Sequence, residues 1–85
     1  MAIDINTKEK EEILKRKAEF YYSMNLKCHI KLKVYGHING WIVSSFDSMD
    51  EFWMVRDERT NQLRRLFLAE VFDIEDFIEK EGGNK

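Results

Sequence analysis

The chain has 85 residues, a length that allows one small domain. Cys28 is its only cysteine, which excludes an internal disulfide, and no apolar run approaches the ~20 residues of a membrane-spanning helix. A single cysteine without a signal peptide is typical of a cytoplasmic protein, and we expect Cys28 to be a buried, inert thiol.

The net charge of −2 is unevenly distributed. Residues 1–35 contain eight Lys and Arg against five Asp and Glu, whereas residues 36–85 contain six against eleven. An acidic chain is a poor general nucleic-acid binder, but a local basic face can still bind phosphates. A plain solvated surface is the alternative interpretation of that face.

A helix is predicted over about residues 7–25. Asn6-Thr7-Lys8-Glu9 has the form of a capping box, and Asn25 is a plausible left-handed stop. The apolar side of this helix, at helical spacing, comprises Ile13, Leu14, Ala18, Phe20, Tyr21, Tyr22 and Met24.

Period-2 alternation predicts a first strand over Lys27–Tyr35. Its apolar side comprises Cys28, Ile30, Leu32 and Val34, and its outward side comprises Lys27, His29, Lys31, Lys33 and Tyr35. The segment 36–40 then turns the chain into a second strand over about 38–46.

Three more strands are predicted over about 51–57, 63–70 and 71–78, and brief polar turns separate the second, third and fourth strands. A helix followed by five short strands predicts a mainly β protein with a small antiparallel SH3-like barrel. We therefore expect one domain over residues 1–85, with the barrel over about 27–78 and a flexible tail over 81–85. The predicted core comprises Ile30, Leu32, Val34, Ile42, Phe46, Met54 and Leu68.

The third and fourth strands are apolar on both faces, whereas a strand with one solvated face should alternate. Something must cover the second face, and another copy of the chain is the simplest candidate. We predict a homo-oligomer, a ring or a two-fold dimer, joined partly through strand edges. Its interface is predicted to contain Trp53, Val55, Phe67 and Ala69.

The order of elements resembles the Sm/LSm-like family, including its bacterial Hfq branch. The resemblance lies in Leu32 and Val34, Gly36, Gly40-Trp41-Ile42, Ser45-Phe46-Asp47 and Met49-Asp50, which look like the first Sm motif. It implies five bent strands in an oligomeric, RNA-binding subunit. In such a barrel, Gly40 lets the second strand bend, Phe46 fills the core and Asp47 organises the next turn. Asp50 stands where the family has a base-contacting Asn, and Leu66–Glu70 replaces the second motif.

Catalysis is not expected from this sequence, and no cofactor or metal is implied. Cys28 and His29 are adjacent on a strand and point to opposite faces, so they cannot share an ion without a bulge. The serines lack a G-x-S-x-G context, and the acids near the C-terminus are typical of a solvated surface.

A binding role is better supported. The predicted nucleic-acid surface is the outward row Lys27, His29, Lys31, Lys33 and Tyr35, extended by Arg64 and Arg65. Cations beside aromatic rings are typical of single-strand binding. Two functions stay open: an Sm-like RNA-binding or RNA-chaperone subunit, and an SH3-like protein-interaction module without nucleic acid. The expected partners are other copies of the chain and either single-stranded RNA or another protein, and no membrane.

Overall fold

The computed structural model describes residues 6–78. In chain order the elements are α1 (Asn6–Met24), β1 (Cys28–Leu32), β2 (His37–Ile42), β3 (Phe52–Asp57), β4 (Leu63–Phe67), a 3₁₀ turn (Leu68–Glu70) and β5 (Val71–Asp76). The five strands form one antiparallel sheet in the order β4-β3-β2-β1-β5. The predicted fold class is therefore confirmed. Within residues 6–78 no ladder joins β4 to β5, so hydrogen bonds do not close the sheet into a barrel. The predicted tail over 81–85 lies outside the described residues.

Helix α1 packs on the sheet of its own chain, against β2 and β5. Its buried side carries Leu14, Ala18 and Tyr21. The Tyr21 hydroxyl donates to Asp76 over 2.6 Å, and the Lys17 ammonium donates to Asp73 over 2.8 Å. The helix ends at Asn25, whose φ of 55° confirms the predicted left-handed stop.

The core forms between α1 and the concave side of the sheet. Of the predicted core residues, Ile30, Ile42 and Leu68 are buried, and Leu32 and Phe46 are partly buried against the core. Cys28 is fully buried, and burial raises the pKa of its thiol to about 12. The predicted burial of Cys28 is confirmed, and a thiol that stays protonated is a poor nucleophile.

Two predicted local roles are confirmed. A Cβ atom at Gly40 would overlap the backbone oxygen of Arg56 on β3, so only glycine allows the two strands to approach this closely. One carboxylate oxygen of Asp47 accepts the backbone N–H groups of Met49 at 2.9 Å and Asp50 at 3.1 Å. Asp47 thus organises the turn between β2 and β3.

The first strand is shorter than predicted, and Val34 is not in the core. β1 ends at Leu32, whose N–H donates to the carbonyl of Gly36 over 3.1 Å. This bond closes the hairpin early, with Gly36 at a φ of 97° that favours glycine. Residues 33–35 form a bend, in which Val34 is 92% exposed.

The predicted inward face of the third strand is wrong, whereas that of the fourth strand, with Leu66 and Leu68 inward, agrees with the structure. Trp53 and Val55 are buried in the core, and Trp53 pairs with Leu66, which is also buried. Met54, predicted as core, is on the opposite face and only partly buried. The apolar run 52–55 does not alternate, so its pattern could not show which face turns inward.

The remaining predicted interface residues lie elsewhere. Phe67, on β4, is 41% exposed, and Ala69 is exposed in the 3₁₀ turn. Because Trp53 and Val55 fill the core of the subunit itself, they are closed to a second copy in this fold. An oligomer contact through Phe67 and Ala69 stays a prediction.

A three-residue 3₁₀ turn joins the two edge strands. Leu68 in this turn is buried, and its N–H donates to Glu51 over 2.9 Å. The carbonyl of Glu70 accepts the N–H of Lys33, also at 2.9 Å. The predicted fourth strand therefore stops at Phe67 rather than at Glu70. Just after the turn, the register of β5 on β1 shifts around Phe72, which is 61% exposed.

Candidate binding surface on the outer sheet face

The structure brings together part of the predicted basic row. Cys28 and Ile30 of β1 point into the core, so His29 and Lys31 lie on the outer face, and Lys27 precedes them on the same side. Lys33 and Tyr35 are in the bend beyond the strand, where Tyr35 is 88% exposed. The row is thus three residues long, followed by an exposed loop.

Acidic side chains neutralise much of this row. Lys27 pairs with Glu58 at 2.8 Å and Lys31 with Glu75 at 3.4 Å. The His29 ring nitrogen Nδ1 lies 2.5 Å from the amide oxygen of Asn39. Since both lysines already have an anionic partner, β1 alone does not present a continuous positive track.

The two predicted arginines of β4 point to opposite sides. Arg64 lies beside Val55 in the pairing of β3 and β4, and its guanidinium contacts the Glu70 carboxylate at 3.1 Å. Arg65 is on the outer face, where its guanidinium lies 5.2 Å from the centre of the Phe52 ring. Of this pair, only Arg65 faces the surface that β1 shares.

One row of outward side chains crosses the whole sheet. Trp41 pairs with Arg56, and Arg56 pairs with Leu63. Extending the register of β1 by one residue places Lys27 between Trp41 and Phe77. The Lys27 ammonium accordingly lies 4.0 Å from the Phe77 ring centre and 5.6 Å from that of Trp41. We call these five residues the cross-sheet row. Aromatic rings alternate with cations from Phe77 to Arg56, and Leu63 ends the row.

Two shorter rows lie beside it on β3 and β4. Met54 pairs with Arg65, and Phe52 pairs with Phe67, whose ring centre lies 5.6 Å away in an edge-to-face arrangement. We define the arginine–aromatic face as the outward residues Trp41, Phe52, Met54, Arg56, Leu63, Arg65 and Phe67. None of these positions is acidic. Within residues 6–78, neither Arg56 nor Arg65 forms an ion pair.

The arginine–aromatic face has the chemistry of an anion-binding and stacking surface. A guanidinium binds phosphate or carboxylate through paired N–H donors and also stacks on planar groups. Aromatic rings offer a face on which any nucleobase can stack. The sequence alone predicted a binding surface along β1 rather than across the sheet, because the cross-sheet row depends on the register of all five strands.

The two edge strands differ in charge. β4 carries Arg64 and Arg65, whereas β5 carries Asp73, Glu75 and Asp76. At Asp73 burial opposes ionisation, but the hydrogen bonds from Lys17 and from the Ile74 N–H outweigh it and lower the pKa below 3.8. Asp73 is therefore an anion at neutral pH. Each edge strand has one side without a partner strand in the described part of the chain.

Two histidines also lie near each other on this side of the sheet. The His29 and His37 rings lie 4.9 Å apart, but residues 6–78 contain no group of three or more His, Cys, Asp or Glu side chains able to hold a metal ion. Over the same residues, no helix has the length and apolar character needed to cross a bilayer.

Comparison with known proteins found no matching family model, no matching curated protein and no matching solved structure.

Proposed function

We propose that this protein is an Sm-like subunit that binds single-stranded RNA on its arginine–aromatic face. The observation that carries the proposal is the composition of that face: two arginines with no ion pair among residues 6–78, three aromatic rings beside them, and no carboxylate among its outward positions. This departs from the basic row on β1, whose Lys27 and Lys31 are paired with acids.

The spacing of the face suits an extended strand. Outward residues two apart on one strand are separated by roughly 6.6–7 Å, and adjacent strands by about 4.8 Å. Arg56 and Arg65 would contact phosphates, while Trp41, Phe52 and Phe67 would stack on bases. Phosphate contacts and stacking carry little sequence information, so we expect weak sequence preference.

Self-association fits the same proposal. Pairing of β5 with β5 in a two-fold dimer would bring its acids together, and pairing of β4 with β4 would bring arginines together. Pairing β4 of one copy with β5 of the next joins opposite charges instead. Such a head-to-tail contact closes into a ring if the rotation between successive copies divides a full turn, and it forms an open filament if it does not. It uses strand edges, so the arginine–aromatic face would stay open to RNA except at its border, where Phe67 lies on the edge strand β4.

A protein-interaction module is the second candidate. Leu63 is 54% exposed and Phe67 41% exposed on the arginine–aromatic face, beside Trp41. Aromatic residues and arginine are enriched in protein–protein interfaces too. In that case the face would bind an acidic, apolar protein surface, and RNA would not bind.

A salt titration of RNA binding separates the two candidates. The probe is a fluorescent 12-nucleotide RNA, and the variant is Arg56→Gln with Arg65→Gln. A matched control replaces Arg16 and Arg59, which lie outside the face, by Gln. For the parent we expect log affinity to fall with log salt by about 0.7 per phosphate contact, and the face variant to lose about 1.4 of that slope. No binding by the parent at low salt would reject RNA binding and favour the interaction module.

A further inference from the structure

Lys27 is enclosed more than the other paired cations of the described chain. Its side chain is 23% exposed, against 33% to 44% for the cations of the other four ion pairs. The ammonium is 2.8 Å from the Glu58 carboxylate and lies over the rings of Phe77 and Trp41. Two aromatic rings and a carboxylate around one ammonium form a cation-binding cage.

The cage joins four segments of the chain. Lys27 precedes β1, Trp41 lies on β2, Glu58 follows β3 and Phe77 follows β5. The segment with Phe77 is thereby held on the outer face, where it borders a hollow of about 430 Å³ that His29 and Asn39 also line. Trp41 belongs to both the cage and the arginine–aromatic face, so the cage sits at the margin of that face.

We infer that the Lys27 cage is an autoinhibitory contact of the RNA-binding surface. Glu58 and an RNA phosphate are competing anions for one ammonium, and a base stacking on Trp41 competes with Lys27 for that ring. An RNA strand that extends along the cross-sheet row takes Lys27 from Glu58. This removes the cation from the Phe77 ring and frees the segment after β5. The inference rests on the proposed function, because it names the regulation of the same site.

The ion pair between Lys27 and Glu58 is weak enough for an RNA phosphate to displace Glu58. The Glu58 side chain is 44% exposed, and partly exposed ion pairs contribute little to stability. We therefore expect Glu58→Gln to bind the 12-nucleotide RNA about two- to fivefold more tightly than the parent. Its salt slope should be unchanged, because in the parent complex Lys27 has already moved from Glu58 to a phosphate. The affinity gain is the decisive quantity.

A double-mutant cycle distinguishes competition from general charge. If Glu58 acts by holding Lys27, the gain from Glu58→Gln disappears in a Lys27→Met background. Glu51→Gln, which removes an exposed acid from the β2–β3 turn, is the control for nonspecific repulsion and should give a smaller gain. An equal gain from Glu58→Gln with and without Lys27 would overturn the inference and leave the proposed function intact.

A second measurement is independent of RNA. Backbone hydrogen exchange at Phe77 and Ile78 should be several-fold faster in Lys27→Met than in the parent, because this variant removes the ammonium from the Phe77 ring. Unchanged exchange in Lys27→Met would overturn the inference whatever RNA does. Absence of RNA binding by the parent and by Glu58→Gln would instead reject the proposed function, and autoinhibition with it.

Discussion

At Gly40 a single added methyl group would meet the backbone of the neighbouring strand. Gly40→Ala should destabilise the domain by about 1–3 kcal/mol, because β2 and β3 must separate to admit the Cβ atom. Urea denaturation measures this loss. A parent-like midpoint would show that the strands are not held this closely.

Gly36 provides the comparison, since a Cβ atom there meets nothing within 4 Å but its φ is 97°. Replacement by asparagine should affect stability differently at the two glycines, because asparagine tolerates a positive φ better than alanine does. We expect Gly36→Asn to be milder than Gly36→Ala, and Gly40→Asn to be worse than Gly40→Ala.

Asp73 should make stability depend on acid pH. Its pKa in the folded protein lies below the ordinary 3.8, because Lys17 and the Ile74 N–H outweigh burial. A lowered folded pKa gives stability that is present above the unfolded pKa and is lost as pH falls through the folded one. Thermal melts below about pH 4 should therefore show a smaller acid-dependent loss for Asp73→Asn than for the parent. Lys17→Met should also make the acid-dependent loss smaller, because without Lys17 the folded pKa of Asp73 rises towards the unfolded value. Identical profiles for all three proteins would contradict this account.

At the scale of elements, Tyr21 fastens α1 to β5. Burial first, and then the hydrogen bond to Asp76, raise the pKa of Tyr21 above its ordinary 10.0. A raised folded pKa gives stability that is present below pH 10 and is lost as pH rises further. Tyr21→Phe should cost about 0.5–1.5 kcal/mol at neutral pH and should weaken the alkaline loss. The half-exposed Tyr22 is the control, because Tyr22→Phe should change neither quantity in urea titrations.

The orientation of β3 gives a second test at this scale. Trp53 is 1% exposed, whereas Phe52 lies on the outer face. Trp53→Ala should cost about 3–5 kcal/mol, a large share of the stability of so small a domain. Phe52→Ala should cost clearly less in the same denaturation experiment. Equal losses would mean that both faces of β3 are covered.

The elements were predictable to the extent that their patterns were unambiguous. α1 was predicted over 7–25 and spans 6–24, since its caps and its 3.6-residue period agree. The alternation of β1 continued to Tyr35 in the sequence, but a hairpin bond to Gly36 ended the strand at Leu32. β3 is apolar on both faces, so only its pairing with β2 and β4 decides that Trp53 points inward.

At the scale of the whole molecule, the predicted oligomer can be tested by mass. Light scattering at micromolar concentration should give a multiple of 10.3 kDa, and raised salt should lower it, because opposite charges on β4 and β5 are screened. Phe67→Glu should reduce the mass while the subunit stays folded. Trp53→Glu should instead unfold the subunit, since Trp53 is in the core. A parent mass of 10.3 kDa would reject the oligomer.

The candidate site was less predictable than the fold. The surface predicted from the sequence included Lys27 and Arg65, but it grouped them with residues along β1 and with Arg64. The cross-sheet row draws one residue from each of five separate segments, and its members become neighbours only through four strand pairings. A single-sequence pattern reports periodicity within a segment, and it holds no information on which segments lie side by side.

The connection between β4 and β5 is so short that it limits how far apart the two edges of the sheet can lie, and it thereby fixes the curvature of the sheet. Three residues in a 3₁₀ turn span only about 6 Å, so at this end the two sheet margins are held almost in contact although they share no ladder. A force that pulls on one margin is therefore transmitted directly to the other through Leu68, which is anchored in the core. In a head-to-tail ring, β4 of each copy would contact one neighbour and β5 the other, and the 3₁₀ turn connects these two strands. Strain at one interface would therefore pass to the next through the turn, without crossing the sheet.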